Sequence, residues 1–104
     1  MKTFLTGLVL LLASAGSFAK DVIVDVRTPK EFAAGHLDGA VNIEYDSIGQ
    51  QISTAGITKD DKVFLYCQTG YRSGIALGTL KGLGFSKAEN AGGIEQARKK
   101  LQKP

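Results

Sequence analysis

The sequence has few of the residues that cross-link small domains or bind metal ions. Its 104 residues include one cysteine, one histidine, two prolines and no tryptophan. A single cysteine excludes a disulfide within the chain. One cysteine and one histidine are also too few to indicate a zinc site, so we expect no metal ion. The net charge of +3 is spread along the chain, and a nucleic acid is therefore not an expected partner.

The sequence also lacks an apolar run long enough to span a membrane. Its longest run covers residues 4–15, whereas a spanning helix needs roughly 20 apolar residues. The run follows a positively charged start and precedes Ser17-Phe18-Ala19, a small-x-small pattern typical of a signal-peptide cleavage site. We therefore predict a cleaved signal peptide at 1–19, a single domain at 20–104, export to the periplasm of a Gram-negative cell, and no stable membrane anchor. An uncleaved helix lying on the membrane surface is the alternative.

Short apolar segments alternate with helix-start signals in the predicted domain. Strands are predicted at 22–26, 39–43, 62–66 and 88–90, where β-branched or apolar residues are bounded by turn residues. Helices are predicted between and after them, at 29–34, 46–56, 73–83 and 94–101. Alternation of this kind favours an α/β fold with a small parallel sheet of about four strands and helices on both faces.

The predicted helix 73–83 carries glycines at every fourth position. Gly74, Gly78 and Gly82 fall on one face, and each lowers helix propensity by about 1 kcal/mol relative to alanine. We expect this face to approach the sheet closely. The predicted buried side consists of Ile75, Ala76, Leu77, Leu80 and Leu83.

Cys67 directly follows a predicted buried strand and precedes a loop that leads into a helix. Ligands bind at the carboxyl ends of strands in parallel sheets, and the next helix directs free N–H groups and its positive dipole end to the same place. These groups, together with Arg72, would lower the pKa of the thiol. Gly70 allows the loop amides to form an anion-binding nest. We predict that Cys67 is a nucleophile, the alternative being an inert, buried cysteine at a strand end.

Four motifs cover nearly the whole predicted domain. They are Asp-Val-Arg-Thr-Pro-Lys-Glu-Phe at 25–32, Gly-His-Leu-Asp-Gly-Ala-Val-Asn-Ile at 35–43, Cys-Gln-Thr-Gly-Tyr-Arg-Ser at 67–73 and Asn-Ala-Gly-Gly at 90–93. Together and in this order they resemble the motifs of the rhodanese (thiosulfate sulfurtransferase) family, especially its exported single-domain members of the phage shock protein E type. The strand and helix that usually precede the first motif in this family have no counterpart in 20–104. The resemblance therefore implies a minimal rhodanese-like domain.

The resemblance implies a sulfurtransferase that works without a cofactor. Cys67 would attack the outer sulfur of thiosulfate, release sulfite, and pass the bound sulfur from a persulfide to cyanide or to a thiol acceptor. The loop would bind substrate through its amides and charge, and its residues are Gln68, Thr69, Gly70, Tyr71, Arg72 and Ser73. Asp25 and Arg27 would support it from the end of the first strand. The expected partners are thiosulfate and a small thiophilic acceptor, and the expected state is a monomer.

Three roles of individual side chains stay open at this point. Arg72 either supports the substrate loop or pairs with Asp25 in a structural role. Arg27 is expected to pair with Glu31, four residues later, or with another acid rather than with substrate. His36, the one histidine, is expected to be structural, since its motif is generally structural in the resembled family.

Two other functions compete with sulfur transfer. Phosphatases and arsenate reductases also place a cysteine and an arginine around an anion loop, but their loops carry one more residue than the four at 68–71. The tighter loop suits a persulfide sulfur better than a tetrahedral phosphoryl group. The second competitor is a sulfur carrier that holds the same persulfide without catalysing repeated turnovers.

Overall fold

The computed structural model describes residues 18–102, which form strictly alternating strands and helices. The strands are β1 (Asp21–Asp25), β2 (Val41–Asn42), β3 (Lys62–Cys67) and β4 (Glu89–Gly93), and the helices are α1 (Pro29–Ala34), α2 (Ile48–Gln51), α3 (Tyr71–Gly82) and α4 (Ile94–Leu101). The predicted α/β class is thus confirmed. Most of the predicted signal peptide, residues 1–17, lies outside the described residues. Within 18–102, no helix combines the length and the apolar character that crossing a membrane requires.

The four strands form one parallel sheet in the order β2-β1-β3-β4. The chain moves from β1 outward to β2, then crosses back over β1 to β3 and continues to β4. The direction of the connections therefore reverses between β1 and β3, which pair from Asp21 and Lys62 to Asp25 and Tyr66. A reversal of this kind opens a crevice at the carboxyl ends of the strands, the usual ligand site of parallel sheets. Cys67 lies there, as the last residue of β3.

Helices cover both faces of the sheet, as predicted. On one face, α2 and α3 pack against alternate residues of the strands, with Ile48, Ile52, Ala76 and Leu80 meeting Val24, Val63 and Leu65. On the other face, α4 packs against the intervening residues, with Ile94 and Ala97 meeting Leu37 and Tyr66. Burying each large aliphatic side chain contributes about 1.5–3 kcal/mol. These two layers hold the central strands, and with them the carboxyl edge, in place.

Two predictions about α3 are wrong. Ile75 and Leu83 are exposed, because the helix contacts the sheet through Ala76 and Leu80 instead. A Cβ atom at position 78 or 82 would meet no atom within 4 Å, so these glycines do not provide a close approach. Gly74 alone of the three lies near β4, where an added Cβ would be 3.5 Å from the side-chain nitrogen of Asn90. Several other boundaries also differ. Helix α3 begins at Tyr71 rather than Ser73, and α2 ends at Gln51, before the predicted residue 56. Strand β2 is shorter than predicted, and β4 continues through the predicted turn to Gly93.

Candidate active site

The Cys67 sulfur is buried beneath the turn that leads into α3. The residue is 1% exposed, and Sγ accepts a hydrogen bond from the backbone N–H of Gly70 at 3.0 Å. The backbone N and the hydroxyl Oγ of Ser73 each lie 3.4 Å from Sγ. Gly70 precedes the helix with φ +103°, a conformation that costs an L-residue energy but that glycine adopts freely. This turn folds the chain back so that its N–H groups point at the sulfur.

These donors decide the acidity of the thiol. Burial opposes ionisation and raises the pKa of Cys67, but the hydroxyl and amide of Ser73 and the amides of Gly70 and Thr69 outweigh it, so the pKa lies below its usual value. The thiolate is therefore stabilised mainly by dipoles of the loop and of the first turn of α3. Such donors supply charge stabilisation without a cation in contact with the sulfur.

Arg72 makes an ion pair with α1 rather than with β1. Its Nη1 and Nη2 atoms donate to Oε1 and Oε2 of Glu31 at 2.8 and 3.0 Å. Glu31 also accepts from the backbone N of Thr28 at 3.0 Å, and Arg72 and this amide hold the pKa of Glu31 at about 2. The alternative that Arg72 pairs with Asp25 is wrong. Because Glu31 neutralises Arg72, the guanidinium contributes less positive potential at the sulfur than the sequence indicated.

Arg27 and Asp25 form a buried ion pair at the end of β1. Arg27 donates through Nε and Nη2 to the two carboxylate oxygens of Asp25, at 2.9 and 2.7 Å, and this partner raises the pKa of Arg27. The acid that pairs with Arg27 is therefore Asp25 and not Glu31. The guanidinium also reaches the cysteine loop, since Nη1 donates to Oε1 of Gln68 at 3.2 Å. Both predicted supporting residues therefore lie beside the loop. Arg27 contacts Gln68 directly, and Asp25 acts on the loop through its ion pair with Arg27.

The end of β4 forms the floor under the loop. A Cβ atom on Gly93 would lie 2.7 Å from the carbonyl oxygen of Gln68 and 3.2 Å from Cα of Thr69, distances that only a glycine permits without displacement of the loop. A Cβ atom on Gly70 would in turn lie 3.5 Å from the backbone of Gly92. The two glycines at 92 and 93 are therefore part of the site, although the sequence indicated only a turn.

Asn90 is a third residue of this site that sequence reasoning missed. Its Oδ1 accepts from Oγ of Ser73 at 2.7 Å and from the N–H of Gly92 at 2.9 Å. Its Nδ2 donates to the carbonyl oxygen of Gly70 at 3.1 Å. The signal that could have found it was its place in the Asn-Ala-Gly-Gly motif.

The remaining candidates lie at the surface or away from the sulfur. Gln68, Thr69 and Tyr71 are exposed around the mouth of the loop. His36 stacks on the ring of Phe32 with centroids 3.6 Å apart, and its Nδ1 lies 2.8 Å from the carbonyl oxygen of Phe32, which agrees with a structural role. Among residues 18–102, no group of three His, Cys, Asp or Glu side chains is placed to hold a metal ion.

The sequence matches a known family over most of its length. The sequence model of the Rhodanese-like domain matches residues 11–100. The chain belongs to the rhodanese-like family. Thiosulfate sulfurtransferase PspE of Escherichia coli K12 is 38% identical to it over 85 residues, which make up 82% of this chain and 82% of that protein. Thiosulfate sulfurtransferase GlpE of Pseudomonas entomophila is 36% identical over 75 residues, or 71% of this chain and 67% of that protein.

The fold also matches solved rhodanese structures. A rhodanese from E. coli solved with anions superposes with a TM-score of 0.70 and 37% identity, covering 73% of this chain and 89% of that one. The human single-domain sulfurtransferase TSTD1 superposes with a TM-score of 0.65 and 28% identity, covering 92% and 93% of the two chains. The predicted rhodanese-like fold is therefore confirmed.

Proposed function

We propose that this protein is a thiosulfate sulfurtransferase in which Cys67 carries the transferred sulfur as a persulfide. The observation that carries the proposal is the buried Cys67 sulfur at the carboxyl end of β3, held by amides that favour the thiolate. The names of two relatives, both thiosulfate sulfurtransferases, support the same activity.

Two displacements at sulfur complete the proposed cycle. The Cys67 thiolate attacks the outer sulfur of thiosulfate, a new S–S bond forms, and the S–S bond of thiosulfate breaks with its electron pair leaving on sulfite. An acceptor nucleophile then attacks the outer sulfur of the persulfide, and Cys67 leaves as the thiolate. Cyanide becomes thiocyanate, while a thiolate acceptor becomes a persulfide. The sequence is a ping-pong exchange and requires no cofactor.

Backbone amides are the proposed anion-binding groups. Both arginines at this edge are engaged by carboxylates, Arg72 by Glu31 and Arg27 by Asp25. We therefore assign the negative charge of thiosulfate and of the persulfide to the N–H groups of residues 68–73 and the positive end of α3. In this arrangement Arg72 and Glu31 connect α1 to the start of α3, and Arg27 restrains Gln68.

Mass spectrometry and turnover together test the proposal. After thiosulfate treatment the intact protein should gain one sulfur, and Cys67→Ser should gain none. The wild type should form many thiocyanate molecules per chain from thiosulfate and cyanide, and the variant should lose at least ~1,000-fold in rate, as expected when a nucleophile is removed. One sulfur transferred per chain would instead indicate a carrier, and hydrolysis of p-nitrophenyl phosphate without thiocyanate formation would indicate a phosphatase.

We also propose export to the periplasm with removal of residues 1–19. The new first residue would be Lys20, whose backbone N already lies 3.0 Å from Oδ1 of Asp61, so a terminal ammonium would fit the same contact. N-terminal sequencing of protein from a periplasmic fraction should begin at Lys20. An intact Met1 in that fraction would contradict cleavage.

A further inference from the structure

Asn90 contacts two of the residues that donate to the Cys67 sulfur, Gly70 and Ser73. Its Oδ1 accepts from the Ser73 hydroxyl at 2.7 Å, and its Nδ2 donates to the carbonyl oxygen of Gly70 at 3.1 Å. We propose that Asn90 is a positioning residue that holds Gly70 and Ser73 against the sulfur and thereby sets the acidity of the thiol. The inference rests on the proposed role of Cys67 as the nucleophile.

Backbone partners fix the orientation of the Asn90 amide. The N–H of Gly92, 2.9 Å from Oδ1, can only donate, and the carbonyl oxygen of Gly70 can only accept. The Gly70 oxygen also receives the first hydrogen bond of α3, from the N–H of Gly74 at 3.1 Å. Asn90 therefore ties the start of α3 to β4. Removing the hydrogen bond from Asn90 to Gly70 would let the turn that directs the Gly70 N–H at Sγ move relative to β4.

The contact with Ser73 lets one hydroxyl serve both protonation states of Cys67. Oγ of Ser73 lies 3.4 Å from Sγ and 2.7 Å from Oδ1 of Asn90. When the sulfur is a thiol, its S–H donates to Oγ while the hydroxyl donates to Oδ1. When the sulfur is a thiolate, the hydroxyl turns toward Sγ and gives up its hydrogen bond to Oδ1. Oδ1 keeps its bond from Gly92, and Asn90 then acts through its bond to Gly70. A neutral amide permits both arrangements, whereas a carboxylate at position 90 would retain the hydroxyl and repel the thiolate.

The rate of Cys67 alkylation as a function of pH measures this effect directly. With iodoacetamide as the probe, the midpoint for Asn90→Ala should rise by about one pH unit, a tenfold loss of thiolate stabilisation. The midpoint for Asn90→Asp should rise as well, because of the added negative charge. In thiocyanate assays the loss in Asn90→Ala should appear in kcat more than in KM. In a Ser73→Ala background the same substitution should shift the midpoint less, since part of its effect passes through Ser73.

Asn42→Ala is the matched control. The Asn42 side chain donates to the carbonyl oxygens of Asp25 and Arg27, both at 3.0 Å, so it also binds backbone at the carboxyl edge of the sheet. Its removal should lower Tm by an amount similar to Asn90→Ala but leave the alkylation midpoint at the wild-type value. A purely structural role for Asn90 would make the two variants alike.

A folded Asn90→Ala protein with the wild-type midpoint would overturn the inference. If that variant fails to fold, Asn90→Leu decides instead, because it keeps a similar size without the amide hydrogen bonds and without an added charge, and an unchanged midpoint would again overturn the inference. Alkylation needs no sulfur donor. Absence of thiocyanate formation by the wild type would therefore contradict the proposed function while leaving the comparison of midpoints intact.

Discussion

The two ends of β3 each hold a buried acidic group, and they hold it differently. Asp61 directly precedes the strand and Cys67 ends it, and each is 1% exposed. The carboxylate of Asp61 accepts from the backbone N of Thr58 at 2.8 Å and from the backbone N and Nζ of Lys20, both at 3.0 Å. The sulfur of Cys67 faces amides and a hydroxyl instead. An ammonium group therefore contacts the anion at one end, while neutral dipoles surround it at the other.

Under the proposed function, this difference separates a charge that stabilises the fold from a charge that reacts. The amide of Thr58 and the groups of Lys20 bring the pKa of Asp61 to about 2 despite its burial, so this group is ionised at neutral pH. At Cys67 the neighbouring cation, Arg72, is bound to Glu31. Amides and the Ser73 hydroxyl lower the thiol pKa without a cation in contact with the sulfur, and thiolate nucleophilicity falls as pKa falls. A contact ion pair on Cys67 would give more thiolate but a weaker nucleophile.

Disturbing the floor of the loop should have the largest effect on activity. In Gly93→Ala the new Cβ would lie 2.7 Å from the carbonyl oxygen of Gln68, so the loop must move, and a displacement near 1 Å costs ~100-fold in rate. The Asp61 end of β3 should be unaffected. Thiocyanate formation measures the loss. Gly78→Ala is the control, since its Cβ would meet no atom within 4 Å and alanine should stabilise the helix by up to ~1 kcal/mol. Wild-type turnover by Gly93→Ala would contradict the assignment of this glycine to the site.

Removing the charge at the other end should change stability and leave the thiol alone. Asp61→Asn loses the ion pair with Lys20, and the lowered pKa corresponds to about 2–3 kcal/mol of unfolding free energy at neutral pH. Urea titration measures this loss, and the alkylation midpoint of Cys67 should stay at the wild-type value. A shifted midpoint would show that the two ends of β3 are coupled.

The stability from Asp61 should disappear in acid. Its folded-state pKa of about 2 lies below the value of about 3.9 for an unfolded aspartate. The stabilisation is therefore complete above pH 4 and is lost as the pH falls from about 4 to about 2. Unfolding curves of wild type and Asp61→Asn should converge over that range. Curves that stay separated at pH 2 would contradict the low pKa of Asp61.

Removing either partner of the Arg72–Glu31 ion pair should change the alkylation midpoint of Cys67 least of all. The two substitutions should shift the midpoint in opposite directions. Glu31→Gln keeps an oxygen that can accept from Thr28 but leaves the Arg72 charge unneutralised, so the alkylation midpoint should fall by a few tenths of a pH unit. Arg72→Ala leaves the Glu31 carboxylate near the loop and should raise it by a similar amount. Iodoacetamide rates measure both. An Arg72→Ala shift of a full unit would mean that the cation, and not the amides, activates the sulfur.

Local features were predictable from the sequence, and contacts between distant segments were not. The predicted helix at 29–34 is present with the same bounds, and the order of strand, cysteine, loop and helix was also correct, because both depend on neighbouring residues. The partners of Arg72 and Arg27 depend on how α1 packs over the edge of the sheet. The contacts of Asn90 with the loop depend on how β4 pairs with β3. In that pairing Leu65 lies beside Asn90 and Tyr66 beside Gly92. Ala91 is thus an extra residue in β4, and neither composition nor periodicity indicates it.

The position of β4 at the end of the sheet has a consequence for when the thiol becomes acidic. The Cys67 loop rests on Gly93, and its donors are tied to Asn90, yet these residues are synthesised more than twenty positions after Cys67. A chain in which β4 has not paired with β3 lacks these supports, so its thiol should lie nearer the ordinary pKa of about 8.5 and be mostly protonated at neutral pH. The proposed nucleophile therefore depends on the whole sheet, and a molecule without β4 in place would carry the cysteine in a less reactive form.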